Sequence, residues 1–409
     1  MKPEELLYDW NCEARPRRRF FVLDETLRDG IQSPSVTNPC LQGKLEILHA
    51  MEGCDIDFAD LGLPGAGSVA AAEITRLVEE IRDQHLRIRP NCAARTHPAD
   101  LQAVANVAQK TGFPLEVCAF LGCSPMRRLL EAWDLSELEK KVAESVSFSV
   151  GQGLATTFVT EDTSRTDPDT LRRLFRVALD QGATRLILTD TVGYATPSGL
   201  ARLVRFVRGL LKGWGYSHVG LDWHGHNDRG LALALCLTAL HEGIDRIHGT
   251  CLGLGERVGN APMDLLLVNL RLLNLRPAGL AAVREYVETV SRLYEVPVPA
   301  NYPAFGRDAF RTATGVHAAA IIKAQRLGMS KVADLIYSSV PASELGLQQQ
   351  IEVGYYSGRA NVLAWLSQHG IEPSEGKVLA VLEVAKKCRS TLREEDILNC
   401  LAQAGALRE

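Results

Sequence analysis

The sequence lacks several features that would by themselves place the protein in a special class. No apolar run in the 409 residues approaches the roughly 20 that a membrane-spanning helix needs. The amino terminus, MKPEELLYDW, carries acids where a secretory signal peptide would carry an apolar segment. Its 10 cysteines form no CxxC pair, which argues against a disulfide framework and against a cysteine zinc site. We therefore expect a cytoplasmic protein with reduced cysteines.

A surplus of positive charge is also missing, because 45 lysines and arginines face 49 aspartates and glutamates. The formal net charge of -4 gives no basis for binding nucleic acid or an anionic membrane, since either would need a basic surface. The one basic cluster, formed by Arg15, Arg17, Arg18 and Arg19, precedes the first apolar run and is interpreted as a solvated lead-in. Hydrophobic residues make up 46% of the chain, so a large core can form.

Short apolar runs alternate with longer stretches of helical period. Eight runs are candidate strands, at residues 20–24, 55–63, 86–94, 115–121, 155–160, 185–190, 219–225 and 245–253. Amphipathic segments such as 136–153 and 168–182 lie between them. Eight strands, each followed by a helix over roughly 270 residues, predict an α/β fold of the (β/α)8 TIM-barrel type. A doubly wound open sheet is the alternative, and both folds place the active site at the carboxyl ends of the strands.

This alternation stops after about residue 285. Residues 294–306, YEVPVPANYPAFG, form a proline-rich connector, and the remainder is mostly helical in pattern. We therefore predict a catalytic barrel at residues 1–285 and a helical C-terminal region at residues 286–409.

The seventh candidate strand runs into LDWHGHNDRG, in which His224 and His226 are two residues apart. Alternate residues of a strand point to the same face, so the two imidazoles would form half of a metal site. Asp29, just after the first strand in LDETLRDGIQSPS, supplies a hard ligand that barrel closure would bring close. Two histidines at a strand end can also serve local hydrogen bonds only, so the pair alone leaves both interpretations open.

A glycine-rich loop, GTCLGLGERVGN, follows the eighth candidate strand at residues 249–260. Glycines expose backbone N–H groups and allow a bulky anionic ligand to approach closely. They equally mark a tight turn, so the loop alone does not decide between the two.

Three segments together resemble the DRE-TIM metallolyases: LRDGIQSP at 27–34, HGHNDRGLALA at 224–234 and GLGERVGNAPMD at 253–264. Within that family the chain is similar to the alkylmalate synthases, namely the 2-isopropylmalate, citramalate and homocitrate synthases. The likeness continues at 159–171, 190–197, 303–324 and 337–362, and so covers about the whole chain. It implies an acyltransferase of amino-acid biosynthesis that adds the methyl carbon of acetyl-CoA to the ketone of a 2-oxo acid and then hydrolyses the thioester.

The resemblance further implies a divalent cation, Mg2+, Mn2+ or Zn2+, that polarises the ketone. Its implied ligands are Asp29, His224, His226 and Asn260. Arg28 would stabilise the alkoxide that develops on the ketone oxygen, and Gln32 would orient the same oxygen.

Proton transfer is assigned by the resemblance to three further residues. Glu161 matches the acid that follows strand five in the family, whereas His317 and Tyr337 match residues from the region after the barrel, often contributed across a homodimer interface. A carboxylate, an imidazole and a phenol together can remove the methyl proton and return a proton to the alkoxide. Which of the three is the base stays open.

The substrate pocket is also assigned by matching positions. Asp60, Arg95, Cys118, Val159 and Thr191 would line it with Gln32, and Gly253, Gly255 and Gly259 would form the coenzyme A loop. Cys118 stands where the family has histidine, and Val159 stands where it has serine. The arginine with which homocitrate synthases bind a second carboxylate is Thr157 here, so a 2-oxoglutarate acceptor is disfavoured. The identity of the acceptor is otherwise open.

Two rival functions remain. Lyases of 3-hydroxy-3-methylglutaryl-CoA and related aldolases cleave carbon–carbon bonds on the same barrel. They carry a cysteine in the glycine loop, whereas the loop segment GLGERVGN at residues 253–260 has none. A non-catalytic acyl-CoA-sensing protein is the other alternative, and the presence of Arg28, Glu161 and His317 argues against it. The regulatory domain of full-length isopropylmalate synthases would lie beyond residue 409, so we expect no leucine feedback and a secondary-metabolic branch with an unusual acceptor.

Overall fold

The computed structural model describes residues 6–8, 10, 16, 18–277 and 279–406. Cys12, Arg15 and Arg17, which the sequence predictions include, lie outside the described residues. The chain forms two compact units, one made by Asn11–Pro297 and the other by Met1–Trp10 together with Val298–Glu409.

The first unit contains a closed barrel of eight parallel strands in sequential order. The strands are β1 (Phe21–Asp24), β2 (Phe58–Asp60), β3 (Arg89–Arg95), β4 (Glu116–Gly122), β5 (Ala155–Glu161), β6 (Arg185–Asp190), β7 (Gly220–Gly225) and β8 (Arg246–Gly249). The pairing of β1 with β8, with Phe21 opposite Arg246 and Asp24 opposite Gly249, closes the ring. The predicted TIM barrel is confirmed, each predicted segment overlaps one strand, and the closure excludes an open sheet.

Helices follow the strands and surround the barrel. They are α1 (Leu41–Gly53), α2 (Ser68–Asp83), α3 (Pro98–Thr111), α4 (Pro125–Glu131), α5 (Leu135–Gly151), α6 (Pro168–Asp180), α7 (Pro197–Gly213), α8 (Ala232–Glu242), α9 (Met263–Leu272) and α10 (Leu280–Tyr294). Asp134 caps α5 and Asp167 caps α6, each side chain accepting a hydrogen bond from a backbone N–H of the first turn. The helices predicted at residues 136–153 and 168–182 are confirmed as α5 and α6.

Helix α10 fixes the chain that follows β1. The hydroxyl of Tyr286 donates to Asp24 Oδ2 at 2.6 Å, and the hydroxyl of Tyr294 donates to the backbone carbonyl of Thr26 at 2.6 Å. Both tyrosines are fully buried. Because α10 packs on the barrel, the first unit continues to Pro297, and residue 285, where the barrel was expected to end, falls inside this helix.

A layer of buried charge crosses the inside of the barrel. Arg246 on β8 is fully buried and donates to both carboxylate oxygens of Glu116 on β4, at 2.7 and 2.8 Å. It also donates to Asp222 on β7 at 2.7 Å. Side chains two residues further along a strand share its face, so Cys118 and His224 lie on the same inner surface, nearer the carboxyl ends. The charged layer therefore forms a floor beneath these residues.

The second unit contains a two-stranded parallel sheet and five helices within the described residues. Its elements are β9 (Arg311–Thr312), α11 (Gly315–Arg326), α12 (Ser330–Leu335), β10 (Gln350–Ile351), α13 (Arg359–Gln368), α14 (Glu375–Ala385) and α15 (Glu394–Ala406). One apolar cluster is shared by α11 and α12, and a second is shared by α13, α14 and α15. Across the part of the chain that the structure describes, no helix combines the length and apolar character needed to cross a membrane.

Candidate active site

A cavity of about 620 Å³ lies at the carboxyl ends of the barrel strands; we call it the mouth cavity. Ten of the residues singled out in the sequence line it, namely Arg28, Asp29, Gln32, Asp60, Cys118, Val159, Glu161, Thr191, His224 and His226. They come from β2, β4, β5 and β7 and from the loops after β1, β6 and β7. The barrel therefore gathers side chains that are up to about 200 positions apart in the chain, as expected for the catalytic face of this fold.

Three of these side chains converge on one point. Asp29 Oδ2 lies 3.9 Å from His224 Nε2 and 3.8 Å from His226 Nε2. Both separations are shorter than twice a metal–nitrogen bond of about 2.1 Å, so one cation fits between the donors. All three side chains are buried, and one ligand atom from each lies within 4.8 Å of the others. Asp29, His224 and His226 therefore form a candidate site for a divalent cation.

The protonation states of these donors suit metal binding. Glu25 Oε2 lies 2.6 Å from His224 Nδ1, which favours a proton on Nδ1 and leaves Nε2 free. Burial lowers the pKa of His226 to about 4, so this imidazole is neutral near pH 7. Burial alone would raise the pKa of Asp29, but the charge of Arg28 lowers it below its ordinary value, so the carboxylate is ionised.

Arg28 places a fixed positive charge beside the candidate cation site. Its guanidinium contacts three carboxylates, Glu25 at 3.0 Å, Asp29 at 3.2 Å and Asp60 at 2.8 Å. Burial opposes the charge, but these carboxylates raise the pKa of Arg28 well above its ordinary value. Burial raises the pKa of Asp60 to about 7 despite the opposing effect of Arg28.

Asn260 supports the same site from the glycine loop. Its Nδ2 donates to Asp29 Oδ1 at 2.9 Å and to the carbonyl of Leu254 at 3.1 Å. Its Oδ1 is buried and has no hydrogen-bond partner among the described residues, which is the kind of acceptor that an ion or a water molecule satisfies. The donor set, together with this unpaired oxygen, fits a divalent cation.

The glycines of the loop allow it to pack closely on this site. Gly253, Gly255 and Gly259 have φ values of 64°, 150° and 83°, which favour glycine. A Cβ at Gly255 would lie 2.2 Å from Asn260 Nδ2 and 2.7 Å from Asp29 Oδ1. The loop is therefore a tight turn pressed against the candidate cation site, and its role in coenzyme A binding stays a prediction.

Glu161 is the last residue of β5, and Thr191 follows the adjacent strand β6. Burial raises the pKa of Glu161, with an opposing effect from Arg127, and a raised pKa makes a carboxylate a better proton acceptor. Thr191 Oγ1 accepts a hydrogen bond from the backbone N–H of Asp162 at 2.8 Å, which fixes the turn that follows Glu161. Gln32 is exposed at the rim.

Three predicted residues lie elsewhere. Arg95 is not among the residues that line the mouth cavity, because its guanidinium turns to Asp100, at 2.7 and 2.9 Å, and its side chain is 65% exposed. His317 and Tyr337 belong to the second unit, where their rings stack with centroids 3.9 Å apart and planes at 25°. The stacking brings together two residues that are 20 positions apart in the chain. Their functional roles stay predictions.

Two further lining residues were missed in the sequence. Glu25 contacts His224, and Glu25 Oε1 lies 3.1 Å from His248 Nδ1 on β8. His248 Nε2 in turn lies 3.3 Å from Asp222, which pairs with Arg246 in the barrel floor. Polar contacts through Glu25 and His248 thus link the candidate metal ligand His224 to the charged floor of the barrel. Glu25 stands in the quoted LDETLRDG segment, but strand periodicity gives no direction to a residue just beyond a strand end.

A second, larger cavity of about 890 Å³ lies at the amino ends of β1, β2 and β3; we call it the base cavity. Its charged lining residues are Arg18, Arg19, Arg87, Arg89, Arg276, Glu52, Asp55 and Asp57. Several pair with one another: Arg87 contacts Glu52 and Asp55, each at 2.8 Å, and Arg276 contacts Asp57 at 2.6 Å. The base cavity holds no group of metal-binding donors among the described residues.

Comparison with known proteins places this barrel in a family. A family model described as HMGL-like matches residues 19–290, which include all eight strands. The chain belongs to the HMGL-like family. The resemblance drawn from the three motifs is thereby confirmed.

Relatives of the HMGL-like chain include named synthases. Homocitrate synthase AksA of Methanopyrus kandleri is 30% identical over 369 residues, which cover 89% of this chain and 86% of the relative. A 2-isopropylmalate synthase of Sediminispirochaeta smaragdinae is 28% identical, over 87% of this chain and 69% of the relative. The crystal structure of hydroxymethylglutaryl-CoA lyase from Pseudomonas aeruginosa matches with a TM-score of 0.59 at 18% identity, over 72% of this chain and 97% of that chain. At this identity, the likeness to the lyase shows the fold alone.

Proposed function

We propose that the protein is a divalent-metal-dependent acyltransferase that condenses acetyl-CoA with a 2-oxo acid and hydrolyses the thioester to give a 2-alkylmalate. The convergence of Asp29, His224 and His226 on one point beside Arg28 carries the proposal. Similarity over most of the chain to relatives named as homocitrate and 2-isopropylmalate synthases supports the same reaction class.

The cation, Mg2+, Mn2+ or Zn2+, would be held by Asp29, His224 and His226, and Asn260 is a further candidate ligand. When bound, it would act as a Lewis acid toward the ketone of the 2-oxo acid. Glu25 would keep His224 in the tautomer that leaves Nε2 free for the cation.

The condensation forms one carbon–carbon bond. A base takes a proton from the methyl group of acetyl-CoA, the methyl carbon attacks the ketone carbon, and the ketone oxygen becomes an alkoxide that then takes up a proton. Arg28 would stabilise the alkoxide, an effect of about 3 kcal/mol for one well-placed donor. Water then cleaves the thioester, so coenzyme A leaves as a thiol and the product keeps a carboxylate.

Glu161, His317 and Tyr337 are the proposed proton carriers. The raised pKa of Glu161 suits a base, but the assignment among the three stays open. Exchange of the acetyl-CoA methyl protons with deuterated solvent, measured by mass spectrometry in Glu161→Gln, His317→Ala and Tyr337→Phe, identifies the base as the residue whose loss stops exchange. A homodimer is also proposed by family resemblance, and analytical ultracentrifugation tests it.

The decisive experiment measures free thiol released from acetyl-CoA with a panel of 2-oxo acids: pyruvate, 2-oxobutyrate, 2-oxoisovalerate, oxaloacetate, 2-oxoglutarate and phenylpyruvate. We expect release with at least one of them, loss of release on chelation, and recovery with Mg2+, Mn2+ or Zn2+. No release with any 2-oxo acid would reject the synthase and favour a non-catalytic acyl-CoA-binding protein.

Cleavage of a 3-hydroxyacyl-CoA is the second candidate, favoured by the HMGL-like family match. It ranks second because the named synthases match more of the chain at higher identity. Incubation with 3-hydroxy-3-methylglutaryl-CoA separates the two, since a lyase would produce acetyl-CoA and acetoacetate.

A further inference from the structure

One side of the mouth cavity is apolar. Cys118 and Phe120 on β4, Val159 on β5 and Ile187 on β6 line it and pack together as a hydrophobic cluster; we call these four residues the apolar wall. Phe120 lies opposite Val159 in the register of β4 and β5, and Val159 lies opposite Ile187 in that of β5 and β6. Adjacent strands are about 4.8 Å apart, so a wall across three strands extends about 10 Å. That width exceeds what the methyl group of pyruvate would cover.

The polar groups beneath the wall are already paired. Thr157, two residues before Val159 on β5, donates its hydroxyl hydrogen to Glu116. Glu116 is held in turn by both terminal nitrogens of Arg246, whose Nε binds Asp222. A ligand that reached past the wall would meet a closed ion-pair network and no free cation.

Arg28 is also unable to bind the second, distal carboxylate of a dicarboxylic 2-oxo acid. It is the only arginine or lysine among the described residues that line the mouth cavity, and it already contacts Glu25, Asp29 and Asp60. Glu161 and Glu256 add further carboxylates to the lining. A distal carboxylate on an acceptor would therefore be buried without a partner, and the neighbouring acids would repel it.

We infer that the acceptor is a 2-oxo acid with an uncharged, apolar side chain larger than methyl, and that the apolar wall selects it. This inference rests on the proposed function, since the ketone and carboxylate of the acceptor are placed at the candidate cation site. It names Phe120 and Ile187 as specificity residues alongside Cys118 and Val159. It also separates this chain from the acceptor chemistry of the relative named as a homocitrate synthase.

The test compares 4-methyl-2-oxopentanoate with 2-oxoglutarate, which has a side chain of similar size with a carboxylate in place of the branched end, and with pyruvate. Calorimetry with Mn2+ present measures binding, and thiol release from acetyl-CoA measures kcat/KM. We expect both the affinity and the kcat/KM for 4-methyl-2-oxopentanoate to exceed those for 2-oxoglutarate by at least about 100-fold and those for pyruvate by at least about 10-fold. Equal or better binding and turnover of 2-oxoglutarate or pyruvate would overturn the inference and leave the proposed function standing.

The two hypotheses fail separately. Selective binding of 4-methyl-2-oxopentanoate without thiol release would support the apolar wall and reject the proposed function. Absence of both binding and turnover with every 2-oxo acid would reject both.

Phe120→Ala tests the wall itself. Removing this half-buried ring enlarges the cavity, so binding of phenylpyruvate relative to 4-methyl-2-oxopentanoate should rise by about 10-fold. Phe113→Ala is the matched control, because Phe113 is also half-buried but precedes β4 and does not line the cavity. An unchanged ratio in Phe120→Ala, or an equal change in both variants, would overturn the assignment of the wall.

Discussion

The mouth cavity and the base cavity lie at opposite ends of one barrel and hold their charges differently. The base cavity is larger, at about 890 Å³ against 620 Å³, but its charges pair with one another near solvent: the side chain of Arg87, for example, is 71% exposed. In the mouth cavity, buried carboxylate and imidazole atoms face a common point; burial lowers the pKa of His226, and the charge of Arg28 lowers that of Asp29 against the effect of burial. Convergence of buried donors, rather than cavity volume, therefore identifies the candidate site, because exposed ion pairs satisfy each other and water.

The largest effect is expected from removing the carboxylate of Asp29, which lies near the imidazoles of both His224 and His226. Asp29→Ala should abolish retention of a divalent cation and lower kcat/KM for thiol release by about 1,000-fold or more, because one of the three converging donors is lost. Elemental analysis and the thiol assay measure the two effects. Asp55→Ala in the base cavity is the control and should change neither. Retention of one cation per chain by Asp29→Ala would contradict the site.

Glu25→Gln should act through His224. The neutral amide holds the Nδ1 proton less strongly, so affinity for Mn2+ or Zn2+ should fall by about 10- to 100-fold, measured by competition with a chelating dye. Glu52→Gln, which makes the same chemical change in the base cavity, is the control and should leave the metal affinity unchanged. Equal metal affinities in the two variants would show that Glu25 does not position the ligand.

Asp60, in the mouth cavity, should make the free energy of unfolding of the protein depend on pH. Its pKa is raised from 3.8 to about 7 by burial, so the folded state binds this proton more tightly than the unfolded state does. This contribution to the free energy of unfolding is fully present below about pH 4 and is lost as the pH rises through 7. The free energy of unfolding should change by at most about 4 kcal/mol over this range. We expect urea unfolding with a chelator present to show this fall in the wild type and a flatter profile in Asp60→Asn.

The control for this pH dependence is Asp55→Asn in the base cavity, which should keep the wild-type profile. Identical profiles for Asp60→Asn and the wild type would show that Asp60 is ionised throughout and that Arg28 outweighs burial.

The smallest effect is expected at the base cavity. Arg89→Ala removes a guanidinium that lies 3.8 Å from the ring centroid of Phe58, so the free energy of unfolding should fall by about 1 kcal/mol or less. Thiol release should stay within about 2-fold of the wild type, since surface changes away from a site have small effects. A 10-fold fall in kcat/KM would give the base cavity a functional role and break the contrast between the two ends.

Much of the barrel follows from local pattern. Runs of β-branched and apolar residues place all eight strands, and strand alternation puts His224 and His226 on one inner face. The prediction that Asp29 would approach them depended on barrel closure, which the pairing of β1 with β8 provides. The position of Arg95 did not follow, because Asp100, five residues later, offers a local ion pair that the strand pattern does not reveal.

The sequence by itself determined the order of strands and helices, the spacing of the two imidazoles and the position of an acid after the first strand, because each depends on residues close together in the chain. Tertiary structure alone decided that Asp60 on β2 contacts Arg28, that Glu25 joins His224 to His248, and that Arg246 closes the floor with Glu116 across 130 positions. Those pairings depend on which strands barrel closure brings together and on how deeply each charge is buried, and neither property is present in a local pattern of residues.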